Sequence, residues 1–121
     1  MKVESYKDLA VWQKSIDLVD QIYQITHNFP KSEVYALASQ MQRAGVSIPS
    51  NIAEGYSRNN TKEYVRFLNF AYSSAAELET QLIIASRQYP EIDYTKANLL
   101  LDEIKKMLYV LIIKLRALIV A

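Results

Sequence analysis

Apolar residues recur at intervals of three and four along almost the whole chain, the period of an amphipathic α-helix. Leu9, Trp12, Ile16, Val19 and Tyr23 form the first stripe and predict a helix over residues 7–27, stopped by Asn28-Phe29-Pro30. A second helix is expected from an N-cap at Ser32, with Leu37, Met41, Ala44, Ile48 and Ile52 on its apolar face and its end near Tyr56. Its stripe keeps phase through Pro49, so the segment SIPSNIAEGYSR reads as a kinked but continuous helix rather than a loop, with Gly45 at the position the proline ring crowds. A third helix opens at Asn60-Thr61-Lys62-Glu63, spaced as a capping box, carries Tyr64, Phe67, Leu68, Ala71, Ala75, Leu78, Leu82 and Ala85, and stops at Tyr89-Pro90. The fourth starts at Asp93 and runs through Ala97, Leu100, Leu101, Ile104, Leu108, Leu111, Leu115 and Leu118.

Helices of about 20 to 27 residues joined by such short connections must lie antiparallel to their neighbours. The expected fold is all-α: an antiparallel up-down-up-down four-helix bundle forming a single domain over residues 1–121. Helices one and four carry more apolar surface than one core uses. Val11, Leu18, Ile22 and Ile25 make a second stripe on the first, and Val110, Ile113, Ala117 and Val120 a second stripe on the fourth. These two helices are neighbours in an up-down bundle, so the stripes are expected to merge into an exposed patch that drives homo-oligomerisation.

Polar positions also fall in order. Gln40, Arg43, Ser47, Asn51, Glu54 and Arg58 line one flank of the second helix. In a hairpin turning near residues 57–60, residues of equal height have numbers adding to about 118 to 120. That places Arg43 level with Glu77 and Glu54 level with Arg66, and Glu54 also reaches Arg58 one turn on. The expectation is a polar network of Arg43, Ser47, Asn51, Glu54, Arg58, Arg66 and Glu77 that sets the register of the two helices.

Composition narrows the function. Half of the 121 residues are apolar, and two glycines with three prolines are too few for the turns of an all-β chain. The absence of cysteine excludes disulfides and thiolate metal sites. The start, MKVESYKDLAVW, lacks the apolar run of a signal peptide and suggests a cytoplasmic protein. The apolar run 108–121 is too short to span a membrane and holds Lys114 and Arg116. The net charge of +1 gives no global field toward nucleic acid, so binding of RNA or DNA would need a local or repeated patch. Lys105, Lys106, Lys114 and Arg116 are the candidate contacts, although Asp102 and Glu103 sit beside them and a solvated face is the plainer reading. His27 is the one histidine and lacks Glu-x-x-His spacing, while Glu77 and Glu79 point to different faces of a helix. No phosphate loop or nucleophile motif is present. No catalytic residue, cofactor or metal is therefore expected, and the chain reads as a non-enzyme.

The segments YKDLAVWQKSIDL, HNFPKSEVYALASQMQRAGVSIPSNIAEGYSR and FLNFAYSSAAELETQLIIA resemble the four-helix-bundle proteins encoded in intervening sequences of bacterial 23S ribosomal RNA genes. The chain is also similar to the accessory variability determinant protein of diversity-generating retroelements. These resemblances imply a ring-like homopentamer, nucleic-acid binding, a protein partner such as a reverse transcriptase, and no enzymatic activity. Where that pattern has a basic pair, this chain has Gln42-Arg43-Ala44, which leaves Arg43 as the equivalent cation. Two functions follow as expectations: a nucleic-acid-associated accessory protein, or a protein-interaction scaffold without nucleic-acid contact.

Overall fold

The computed structural model describes residues 5–120. Four helices make up the molecule: α1 (Ala10–His27), α2 (Leu37–Tyr56), α3 (Thr61–Gln88) and α4 (Thr95–Val120). Each packs on its sequence neighbours, and α1 closes the ring against α4. Cross-helix pairs place Ser47 beside Ser74, Glu79 beside Lys105 and Lys14 beside Glu103. Advancing along one helix means moving back along the next: Ser47 and Gly55 of α2 meet Ser74 and Phe67 of α3, Ile22 and Thr26 of α1 meet Gly45 and Gln42 of α2, and Glu79 and Ala85 of α3 meet Lys105 of α4 and Tyr94 just before it, so the bundle runs up-down-up-down.

The helix starts show which local signals prevail. Asn60 caps α3, its side-chain oxygen accepting the Glu63 N–H at 3.1 Å, as the capping-box spacing requires. Before α4, the Asp93 carboxylate accepts the Thr95 N–H at 3.0 Å, and this hydrogen bond holds its pKa below the usual value. Two starts differ from expectation. A 3-10 turn at Tyr6–Asp8 precedes α1, which begins at Ala10 rather than at residue 7. Another 3-10 turn at Lys31–Glu33 replaces the expected first turn of α2, which starts at Leu37 and not after Ser32. Val34 and Tyr35 are exposed there and offer no apolar face to bury, while the Tyr89 hydroxyl donates to Glu33 at 2.5 Å and ties the turn to the end of α3.

On α1 the two apolar stripes exchange roles. Val11, Leu18, Ile22 and Ile25 fill the core, whereas Ile16 and Tyr23 are exposed and Leu9, Trp12 and Val19 half-buried. The expectation that Val11, Leu18, Ile22 and Ile25 form a subunit interface is thus overturned. The buried stripe is continuous in space because Ser15, fully buried, fills its gap and donates its Oγ hydrogen to the Val11 carbonyl at 2.6 Å. A serine with an internal partner packs as a small apolar group, and the sequence pattern hides it.

Helix α2 runs unbroken through Pro49, which is itself buried with Ile48 and Ile52. Helices α2 and α3 meet through small residues, and at Gly55 α3 packs directly against the α2 backbone. A Cβ added there would lie 2.8 Å from Phe67 Cβ and 3.1 Å from the Tyr64 carbonyl oxygen. On α3, Val65 and Gln81 join the core, and Gln81 Oε1 finds no donor among the described residues. On α4, Ala97, Leu101, Ile104, Leu108 and Ile112 are buried, but Leu118, expected in the core, is 68% exposed.

The Phe67 Cβ, fixed to the α3 backbone, and the Tyr64 carbonyl oxygen leave little room to relax, so Gly55→Ala is expected to destabilise the bundle by about 1 to 3 kcal/mol through overpacking. Chemical denaturation of the two proteins measures this directly, and unchanged midpoints would contradict the close approach.

Candidate nucleic-acid interface

Three groups of polar or exposed residues compete for a functional role. The first is the α2–α3 seam. The Ser47 and Ser74 hydroxyls lie 2.8 Å apart, and Asn51 donates to the Ser47 carbonyl and hydroxyl at 2.8 and 2.9 Å. This chain of bonds fixes the two helices within about one residue of the expected register. Ser74 is the member that sequence reasoning missed, since nothing distinguishes one serine of Ser73-Ser74 until the register is known.

The expected charged members behave differently. Arg43 and Glu77 are both exposed and make no ion pair among the described residues. Equal height on two helices does not suffice, because both side chains project from outer faces where water solvates them better than the partner would. Arg66 does not reach Glu54 either. It pairs with Glu63 on its own helix at 3.5 Å, and Glu54 pairs with Arg58 at 3.6 Å. The network is therefore short and neutral, and Arg43 returns to the exposed cations. Gln42, which stands where a basic residue would strengthen this surface, donates to Thr26 across the α1–α2 contact at 3.0 Å.

The second group lies on α4. Lys105 is committed to structure: its ammonium bridges both Glu79 oxygens at 3.0 and 3.1 Å and is the most sheltered cation in any ion pair here. Lys106 pairs with Asp102 at 3.3 Å in full solvent, an interaction of little strength. Neither fits the reading of a free phosphate contact. Lys114 and Arg116 are exposed and make no ion pair among the described residues. Around them Val110, Ile113, Ala117 and Ile119 are exposed as well, while the side chain of Val120 lies outside the described residues. The structural reason is length. With Lys14 opposite Glu103, the first residue of α1 stands level with about residue 107, so roughly 20 Å of α4 runs past the start of α1. Leu9, Val11, Met107 and Val110 line an apolar groove where the overhang begins.

The third group sits at the α2–α3 corner. The Arg58 guanidinium lies over the Phe67 ring at 4.9 Å, and that of Arg66 lies 5.1 and 5.2 Å from the centres of Phe67 and Phe70. The two rings meet edge to face at 5.7 Å. The i, i+3 pair Phe67 and Phe70 with Arg66 beside it was visible in the sequence, but Phe67 was assigned to the core and Arg66 to the seam. Nearby, Tyr64 packs edge to face with Tyr56, and burial, with a smaller contribution from Tyr56, raises its pKa to about 12.

No group of three or more potential metal ligands occurs among the described residues, and no helix there is long and apolar enough to cross a membrane.

The model of the family described as 23S rRNA-intervening sequence protein matches residues 7–110. A crystal structure from Bacteroides thetaiotaomicron, described as a protein with unknown function from the S23 ribosomal protein family, superposes with a TM-score of 0.75 at 26% sequence identity. The match covers 84% of this chain and 94% of that one. Comparison with functionally curated proteins gives no match.

The elevated Tyr64 pKa has a definite pH signature. Its neutral form is favoured by folding, so its contribution to stability is complete below about pH 10 and is lost as pH rises toward about 12. The alkaline loss of thermal stability is expected to be shallower in Tyr64→Phe than in the parent. Identical alkaline limbs would contradict the buried hydroxyl.

Proposed function

Because the chain belongs to the family of 23S rRNA-intervening sequence proteins, we propose that it acts without catalysis, as a self-associating four-helix bundle that accompanies nucleic acid. The observation that carries this reading is the overhanging end of α4. It combines an apolar face too large to leave in water with two cations, Lys114 and Arg116, that no carboxylate neutralises among the described residues. Burying Val110, Ile113 and Ala117 against further copies would remove that face from water and bring the cations of several subunits together. A net charge of +1 per chain attracts nucleic acid weakly, but a ring that repeats a small cationic patch engages several phosphates at once. Five copies is the number that the resemblance to family proteins implies, and cytoplasmic RNA or DNA is the corresponding ligand.

The groove beside Leu9 and Met107 favours a second reading, a scaffold that seats an apolar helix of a protein partner such as a reverse transcriptase. The two readings respond to salt in opposite ways. Nucleic-acid binding through phosphates weakens steeply as salt rises, whereas apolar capture survives.

Mobility-shift titrations against structured RNA and duplex DNA at about 50 and 200 mM salt separate them. Replacing Lys114 and Arg116 together by glutamate is expected to lower affinity tenfold or more, on the order of 1.4 kcal/mol per tenfold, and to flatten the salt dependence. Lys105→Met is expected to lower thermal stability, by up to about 1 kcal/mol, with affinity unchanged. Affinity indifferent to both salt and the double substitution would overturn the reading.

A further inference from the structure

We infer that the corner between α2 and α3 is a stacking site for the unpaired bases of a single-stranded nucleic acid, an inference that rests on the nucleic-acid reading above and gives it a ligand class. Phe70 is 45% exposed on the outer surface of α3, and Phe67 beside it is half-buried. The exposed Phe70 ring offers a surface on which any base can stack, while Phe67, with both guanidiniums over it, braces Phe70 from beside. Two guanidiniums, those of Arg58 and Arg66, already lie over these rings, so planar stacking partners and positive charge occur on one surface.

The charges are available. Arg58 and Arg66 face Glu54 and Glu63 at 3.6 and 3.5 Å in solvent, and ion pairs this exposed are easily exchanged for phosphate. Lys62, in the first turn of α3, makes no ion pair among the described residues, so cations outnumber carboxylates at the corner. This excess of positive charge around the rings favours a polyanion over an apolar protein segment.

The site is also rigid. Phe67 and Tyr64 are pressed against Gly55, where no side chain separates the helices, and the edge-to-face contact orients Phe70. In the up-down order, this corner and the C-terminal end of α4 lie at the same end of the bundle. A strand whose bases stack at Phe70 therefore finds Lys114 and Arg116 at that same end. Duplexes keep their bases paired and stacked within, so the corner discriminates in favour of single strands without reading sequence.

Fluorescence anisotropy with labelled oligonucleotides of about 12 nucleotides, as single-stranded RNA, single-stranded DNA and blunt duplex, tests the assignment on the full chain. Phe70→Ala is expected to weaken single-strand binding about tenfold with the salt slope unchanged, while duplex binding and the helical circular-dichroism signal stay as in the parent. Phe70→Trp is expected to retain the affinity, and Arg66→Gln to reduce the salt slope. Tighter binding of either single strand than of duplex supports the site, and the ratio of RNA to DNA affinity identifies which of the two it takes. Duplex binding equal to or tighter than single-strand binding, with Phe70→Ala silent, would overturn the stacking site and leave the nucleic-acid reading standing. Binding to none of the probes would overturn both. A change of oligomeric mass in Phe70→Ala would reassign the corner to contact between copies.

Discussion

The constraint on which the functional reading depends is a difference in length. Helix α1 has 18 residues and α4 has 26. In a closed four-membered ring the longer helix must run past the shorter, and the Lys14–Glu103 pair determines at which end it does so. The free segment is not polar, as the end of an isolated helix would be. It carries Val110, Ile113, Leu118 and Ile119 exposed, with Ile113 at 46%. Leaving this surface in water forfeits the stabilisation that burial of each such side chain brings, about 1.5 to 3 kcal/mol when complete. Among the described residues nothing covers it on the side past the start of α1.

The rest of the bundle is organised to keep that geometry. Glycine at position 55 and the alanines at 71 and 75 let α2 and α3 approach closely, and the Ser47–Asn51–Ser74 hydrogen bonds fix how they slide. Lys105 and Glu79 fasten α4 to α3 in a half-sheltered bridge. Charges that hold the bundle together are thereby distinguished from charges left at its surface. Lys105 belongs to the first kind and Lys114 and Arg116 to the second, although in sequence they form one cluster.

How much of this was legible follows from the kind of signal involved. Helix number, connectivity and the continuity of α2 through Pro49 rest on periodicity and local capping, which a single chain displays directly. The Asn60 cap and the register of the seam were likewise accessible, since both depend on spacing alone. What failed was the choice between two faces of α1. Ser15 interrupts the true core stripe in sequence yet fills it in space, so a stripe with Trp12 and Tyr23 seemed the stronger. The Arg43–Glu77 pair failed for another reason. Height along a helix can be counted, but the side chain's direction around it depends on which face the neighbour covers. The α2 start moved because the exposed Val34 and Tyr35 have no core to face, a fact fixed by the Glu33–Tyr89 tie 56 residues apart. The aromatic and arginine corner was missed because Phe67, Arg58 and Arg66 had already been given structural roles and Phe70, off the apolar stripe, had been given none.

Self-association through the end of α4 is the claim from which the functional account proceeds. Light scattering coupled to size exclusion, at tens of micromolar protein, weighs the particle directly. The account predicts a mass several times 13.9 kDa for the parent chain and a folded particle near 13.9 kDa for Ile113→Glu, in which an unpaired carboxylate would stand in an apolar interface. A parent chain that elutes as a 13.9 kDa monomer across that range would contradict it.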